Sequence, residues 1–249
     1  MAQRSDIESH LAALLEVSRF RDYGPNGLQV EGKPEVRKLV SGVTASLALI
    51  DAAIAARADA ILVHHGLFWK GQDGRVTGWL KARLERLLAH QVNLYAYHLP
   101  LDAHAEFGNN AQLGLRLGWV AEARFSDQAL GFIGTLAAAA SAQELGALVH
   151  ERLARHPTVV PGDGRLIRRV AWCTGGAQGR VEAAIEAGAD LYLTGEISEP
   201  QAHLARETGV AFIACGHHAS ERYGAPAVAA HVAQTFGIEH EFIEVDNPA

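Results

Sequence analysis

Asp51-Ala-Ala-Ile-Ala-Ala-Arg-Ala-Asp-Ala-Ile-Leu-Val-His-His65 and Glu182-Ala-Ala-Ile-Glu-Ala-Gly-Ala-Asp-Leu-Tyr-Leu-Thr-Gly-Glu196 align without a gap. Each reads as an alanine-rich helix, an Ala-Asp turn and a strand, so the pair reads as an internal repeat of one supersecondary unit. Alanine-rich helices also match by chance, but the continuation of each copy strengthens the case. Both run on through a second helix into another apolar strand, over residues 92–97 in the first and 210–214 in the second. Residues 38–43, 60–63, 170–173 and 191–194 also read as strands. Residues 47–56, 77–89, 180–187 and 199–208 read as helices. This alternation predicts an α/β protein whose sheets are largely parallel or mixed. Between the copies, Ser141-Ala-Gln-Glu144 is a capping box that opens a helix reaching about His156, and residues 157–164 read as a loop. His150 and His156 lack a ligand-spaced partner there and are expected at the surface or at a helix end.

Composition sets the outer bounds. A chain of 249 residues with 49% hydrophobic and 20% charged side chains can bury a substantial core, as one large domain or two smaller ones. A formal charge of -6 with no basic run supplies no electrostatic footprint for nucleic acid or an anionic membrane. The most apolar stretch, residues 39–63, is interrupted by Asp51, Arg57 and Asp59, which excludes a membrane span. The first ten residues carry Arg4, Asp6 and Glu8 and no apolar run, and the two cysteines, Cys173 and Cys215, lie far apart. A cytoplasmic, reducing location is the resulting expectation.

Every polar cluster follows a predicted strand, which is where open α/β sheets bind ligands. Val63-His-His-Gly66 ends a buried strand; adjacent strand residues point to opposite faces, so two histidines at a strand end address two ions side by side more readily than one. In Tyr97-His-Leu-Pro-Leu-Asp102-Ala-His104 a proline stiffens the loop that aims Asp102, and a carboxylate can bridge two cations. In Gly216-His-His-Ala-Ser-Glu221, one helical turn puts His217 and Glu221 on one side, with His218 available to support its neighbour. Taken singly, each cluster also has a plain structural reading as a packed histidine pair, a turn cap or a helix-start hydrogen bond. Their coincidence in a chain with 13 histidines is what points to metal. His98 is open between orienting Asp102, binding substrate and packing; Glu196 is open between a site residue and the first-turn acid of the next helix. Thr174-Gly-Gly-Ala-Gln-Gly179 is either a phosphate-receiving backbone without a Walker lysine or a tight strand-to-helix turn.

With Asn26-Gly-Leu-Gln-Val30, His64-His65-Gly66, His98 to Asp102, Thr194-Gly-Glu196 and Gly216-His-His-Ala-Ser-Glu221 in place, the chain resembles the YbgI-like dinuclear-metal-centre family, also called GTP cyclohydrolase 1 type 2 homologues or Nif-three-like proteins. The resemblance spans essentially the whole chain. It implies two intertwined, internally repeated α/β/α domains, here set at residues 1–125 plus 215–249 and at 126–214, with most metal ligands in the first. It further implies a toroidal homohexamer and two divalent ions per chain, Zn, Fe or Mn, on His64, His65, Asp102, His217 and Glu221. A metal-dependent hydrolase acting on a nucleotide or small molecule follows, with His98 and Glu196 as proton-transfer candidates. A metal-stabilised binding or regulatory scaffold without turnover is the alternative, and reversible iron handling a third.

Overall fold

The computed structural model describes residues 1–249. In chain order it runs β1 Ala2–Gln3, α1 Arg4–Leu14, β2 Gly27–Val30, β3 Glu35–Val36, β4 Lys38–Thr44, α2 Leu47–Ala55, β5 Ala60–His65, α3 Gly78–His90, β6 Asn93–Ala96 and α4 Leu99–Ala103. It continues α5 Asn109–Leu117, β7 Ala123–Phe125, β8 Gly131–Ala140, α6 Ala142–Leu153, β9 Thr158–Val160, β10 Ile167–Trp172, α7 Val181–Glu186, β11 Leu191–Thr194 and α8 Glu199–Thr208. The last elements are β12 Ala211–Ala214, α9 His217–Glu221, α10 Gly224–Phe236 and β13 Glu239–Phe242. The expected strands and helices of both repeat copies are all present.

The chain forms two units, residues 1–108 with 224–246, and residues 109–223 with 247–249. The boundaries expected at 125/126 and 214/215 therefore move to 108/109 and 223/224. The reason at the second boundary is hydrogen bonding: Cys215 and Gly216 N–H donate to Thr194 and Gly195 carbonyls (2.8 and 2.9 Å), which ties the segment carrying α9 to β11. His217 and Glu221 consequently belong to the second unit.

In the first unit a five-stranded sheet has the order β13-β4-β5-β6-β2, with β2 antiparallel to β6 and the other neighbours parallel. Strand alternation sorts its side chains cleanly. Leu39, Ala60, Leu62, Tyr95 and Tyr97 pack with Ile7 and Leu11 of α1 and Val228 and Val232 of α10. Val40, Ile61, Val63, Leu94 and Ala96 pack with Leu49, Ile50 and Ala53 of α2 and Leu80 and Leu87 of α3. A sheet buried on both faces explains why its strands read as continuous apolar runs. The second unit holds a six-stranded mixed sheet, β7-β8-β10-β11-β12-β9, in which β10, β11 and β12 are parallel and the outer strands antiparallel. Its core places Trp172, Leu193 and Ile213 against Leu145, Val149 and Leu153 of α6 and Leu113 of α5. The capping box at Ser141 and Glu144 is present.

Residues 157–164, expected to be a loop, contain the short strand β9, which pairs with the edge of β12. Three residues are too few for periodicity to show. His150 and His156 lie at the end of α6 and just beyond it, as expected, yet they do have partners: their rings stack on each other at 3.8 Å between centroids.

The repeat extends further than its sequence match. Asp59 accepts backbone N–H groups of Arg37 and Lys38 (2.9 and 3.4 Å), and Asp190 accepts those of Arg168 and Arg169 (both 2.9 Å). Each Ala-Asp turn thus uses its carboxylate to satisfy the backbone of the neighbouring strand. Beyond β6 and β12, each copy then makes a one-turn helix, α4 and α9, carrying Asp102 and Glu221 respectively.

Candidate functional site

In the first unit, β5 ends on His64 and His65. His64 is fully buried, and its Nδ1 donates to the Tyr97 carbonyl at 3.0 Å. A carbonyl can only accept, so the ring proton lies on Nδ1, and Nε2 turns toward Asp102 Oδ1 at 3.5 Å. The His65 Nδ1 lies 3.2 Å from the Thr44 hydroxyl. Gly66 follows because a Cβ there would collide with the Gln29 amide, whose oxygen accepts the Leu67 N–H at 2.8 Å.

His98 caps the start of α4, whose Leu99-Pro100 opening suits a helical first turn. The segment expected to be a proline-stiffened loop is thus a helical turn, and it holds Asp102 in a buried position. The His98 Nδ1 sits 2.7 Å from Asp22 Oδ1, and the His98 N–H donates to Asn26 Oδ1 at 2.7 Å. Asp22 also accepts the Leu99 N–H (2.9 Å) and the Asn26 amide (2.8 Å). Burial raises the Asp22 carboxyl pKa, but its hydrogen bond to His98, followed by that charge and the Asn26 amide, outweighs burial and leaves it lowered. Sequence reading missed Asp22; its sole signal is a carboxylate four residues ahead of Asn26-Gly27. The rings of His64, His65 and His98 lie 4.5 to 5.8 Å apart, and one nitrogen from each falls within 4.8 Å of the others.

The second unit repeats this chemistry. His217 Nδ1 meets Glu196 Oε1 at 2.6 Å, while Nε2 lies 3.1 Å from Glu221 Oε2. Burial disfavours charge on this ring, yet Glu221 first and Glu196 second raise its pKa to about 9. Two carboxylates that hold a proton on the ring so firmly make the spot a pocket for positive charge. Glu221 is 2% exposed. A Cβ on Gly175, which has a φ of +70°, would collide with Glu221 Oε1, so only glycine leaves this cradle open. The Gly175 N–H donates to the Ser220 hydroxyl at 3.0 Å, and the Gly175 carbonyl accepts Gly195 N–H and Thr194 Oγ1. The glycine-rich segment is therefore a strand-to-helix turn that braces α9, with Gly175 already committed. His218 is buried in α9, and its N–H donates to the Ala249 carbonyl. Cys173 and Cys215 are both buried; burial pushes the Cys215 thiol up to about 12, which leaves it unreactive near neutral pH.

The pattern fits a metal. In both units an imidazole is fixed through Nδ1 by a protein acceptor and turns Nε2 toward a buried carboxylate, the arrangement by which proteins orient histidine ligands. Histidine nitrogens with carboxylate oxygens suit zinc, iron or manganese. Glu196, a proton-transfer candidate in the sequence, is placed where it orients His217.

Fold and site define an α/β protein of two repeat-related units carrying histidine and carboxylate groups that could hold a metal ion. The chain belongs to the Duf34/NIF3 (NGG1p interacting factor 3) family, whose model matches residues 2–248. It is 52% identical over 249 residues, all of both chains, to the GTP cyclohydrolase 1 type 2 homolog of Neisseria meningitidis serogroup A. It is 51% identical to the Pseudomonas aeruginosa protein of the same name, over 94% of each. Among solved structures, the protein ybgI, described as of unknown function, matches over the whole of both chains with a TM-score of 0.96 and 43% identity. The protein TTHA1606 from Thermus thermophilus matches over the same extent at 0.88 and 33%. The family expected from the motifs is thereby found. No helix is long and apolar enough to cross a membrane.

Proposed function

We propose that this chain is a metal-dependent hydrolase that binds two divalent cations through His64, His65, Asp102, His217 and Glu221 and acts on a nucleotide or related small molecule. The observation that carries the reading is the Nδ1 anchoring of His64 and His217, each with Nε2 directed at a buried carboxylate. When bound, the cations supply Lewis-acid activation of water and polarisation of an electrophilic carbon or phosphorus. The protein's own groups do the rest. Asp22 holds His98 in one orientation beside the His64 and His65 rings, which makes His98 the group placed to move a proton to or from substrate. Glu196 positions His217, and Gly175 keeps Glu221 uncrowded.

The names of its relatives support a purine nucleotide such as GTP as the first substrate to try. A ring of six chains and a cytoplasmic location complete the proposal. Metal analysis of protein purified without chelator, run beside turnover of GTP, other nucleotides and phosphoesters, is the direct test. Two ions per chain with ring opening or hydrolysis are expected. Two ions without turnover of any member would favour a metal-stabilised scaffold, and less than one ion after reconstitution would end the metal reading. Glu221→Gln should lose both occupancy and activity. Light scattering should give six times the 26.6 kDa chain mass.

A further inference from the structure

Beside the three histidines of the first unit stand two large aromatic side chains that no part of the metal chemistry uses. The Trp69 ring lies edge-on to His98, 5.0 Å between centroids at 88°, and 6.0 Å from His65. The Tyr23 ring lies 6.1 Å from His98 and is 60% exposed. Both sit on loops rather than in the core, yet both loops are pinned. The Lys70 N–H donates to the Tyr23 carbonyl at 2.5 Å, and the Trp69 N–H donates to Gln72 Oε1 at 3.0 Å. Gly24 carries no side chain because a Cβ would strike the Phe68 carbonyl, and this lets the two loops close on each other. Leu67, two residues ahead of Trp69, is held by Gln29.

We infer that Tyr23 and Trp69 form a stacking platform for a planar heteroaromatic ring of the substrate, placing that ring next to His98; the inference rests on the proposed metal site. Four features support it. An exposed tyrosine and a half-buried tryptophan held by backbone bonds give a large apolar face at little ordering cost on binding. Their distance of 5.0 to 6.1 Å from the His98 ring is one side chain from the reacting centre. Aromatic faces accept any flat ring and do not select for sugar or phosphate, so the platform assigns ring recognition to this side. The exposed Lys70 adjoining Trp69 offers a cation to an anionic group borne by the ring's substituent.

Equilibrium dialysis of metal-loaded full-length protein would decide, with GTP, ATP, UTP and nicotinamide mononucleotide as ring-bearing probes and inorganic triphosphate as the ring-free one. At least one ring-bearing probe should bind more tightly than triphosphate. Trp69→Ala and Tyr23→Ala should each lose that advantage by roughly 5- to 150-fold, while Trp69→Phe keeps most of it. Triphosphate affinity and metal content should stay at wild-type levels in all three variants. Tyr23→Ala, at an exposed position, keeps the test valid if the tryptophan variant misfolds. Equal binding of ring-bearing and ring-free probes, or alanine variants that bind rings as the wild type does, would overturn the platform. A wild type that takes up no metal would instead show that the metal-dependent reading had failed.

Discussion

Asp22 and Glu196 do for His98 and His217 what no neighbour in sequence could: each presents a carboxylate to Nδ1 and fixes which way the other nitrogen faces. Removing such an orienting partner commonly costs roughly 10- to 100-fold in metal affinity or activity. Glu196→Gln is expected to lower metal affinity within that range with the fold intact, checked by competitive chelator titration and circular dichroism. Asp22→Asn should reduce turnover more than metal content, since His98 lies outside the five proposed ligands. Gly175→Ala is more severe, because the new methyl group meets Glu221 and the backbone holds a φ of +70°; metal occupancy should fall well below one equivalent while secondary structure persists.

Asp59 gives the cleanest pH prediction at this scale. Burial raises its carboxyl pKa, but the Lys33 ion pair and the Arg37 and Lys38 amides outweigh that and leave it below the ordinary 3.8. A carboxylate depressed in the folded state contributes stability that is present above its unfolded pKa and lost as pH falls through the folded one. Asp59→Asn should therefore be less stable than wild type at neutral pH, and the difference should shrink below about pH 4. A constant gap across the acid limb in urea titrations would contradict this. The equivalent turn acid, Asp190, accepts two strand amides in the second unit.

Elements were the most legible part of the sequence. The strands β4, β5, β6, β10, β11 and β12 announced themselves because both sheet faces are buried, which makes each a largely apolar run. The capping box at Ser141 named the start of α6 through a purely local exchange of hydrogen bonds. Ser141→Ala should cost about 1 kcal/mol in chemical denaturation, whereas Leu62→Ala, packed with α1 and α10, should cost about 2–5 kcal/mol. The strand β9 and the helical turn α4 escaped because each is short and is fixed by partners distant in sequence, β12 for one and Asp22 with Asn26 for the other.

For the molecule as a whole, metal should act as a ligand of the folded state. Anything bound by the native chain alone stabilises it by RT ln(1 + [L]/Kd), about 2.7 kcal/mol at a hundredfold excess over Kd. Chelation is thus expected to lower the melting temperature, and zinc or manganese to restore it in proportion to occupancy; an unchanged melting temperature on full removal would argue against a structural share for the ions.

By itself the sequence determined the α/β class, the repeat, the histidine and carboxylate clusters at the strand ends and the family, because apolar period, turn chemistry and motif spacing are local properties of the chain. The tertiary structure decided where the units divide, at 108/109 and 223/224, and that His217 and Glu221 fall in the second. It alone decided that Asp22, Thr44 and Glu196 anchor the histidine rings and that Gly175 cradles Glu221. The ring-anchoring contacts join residues 21 to 76 positions apart, and hydrogen bonds made across such separations leave no periodic trace for a sequence to display.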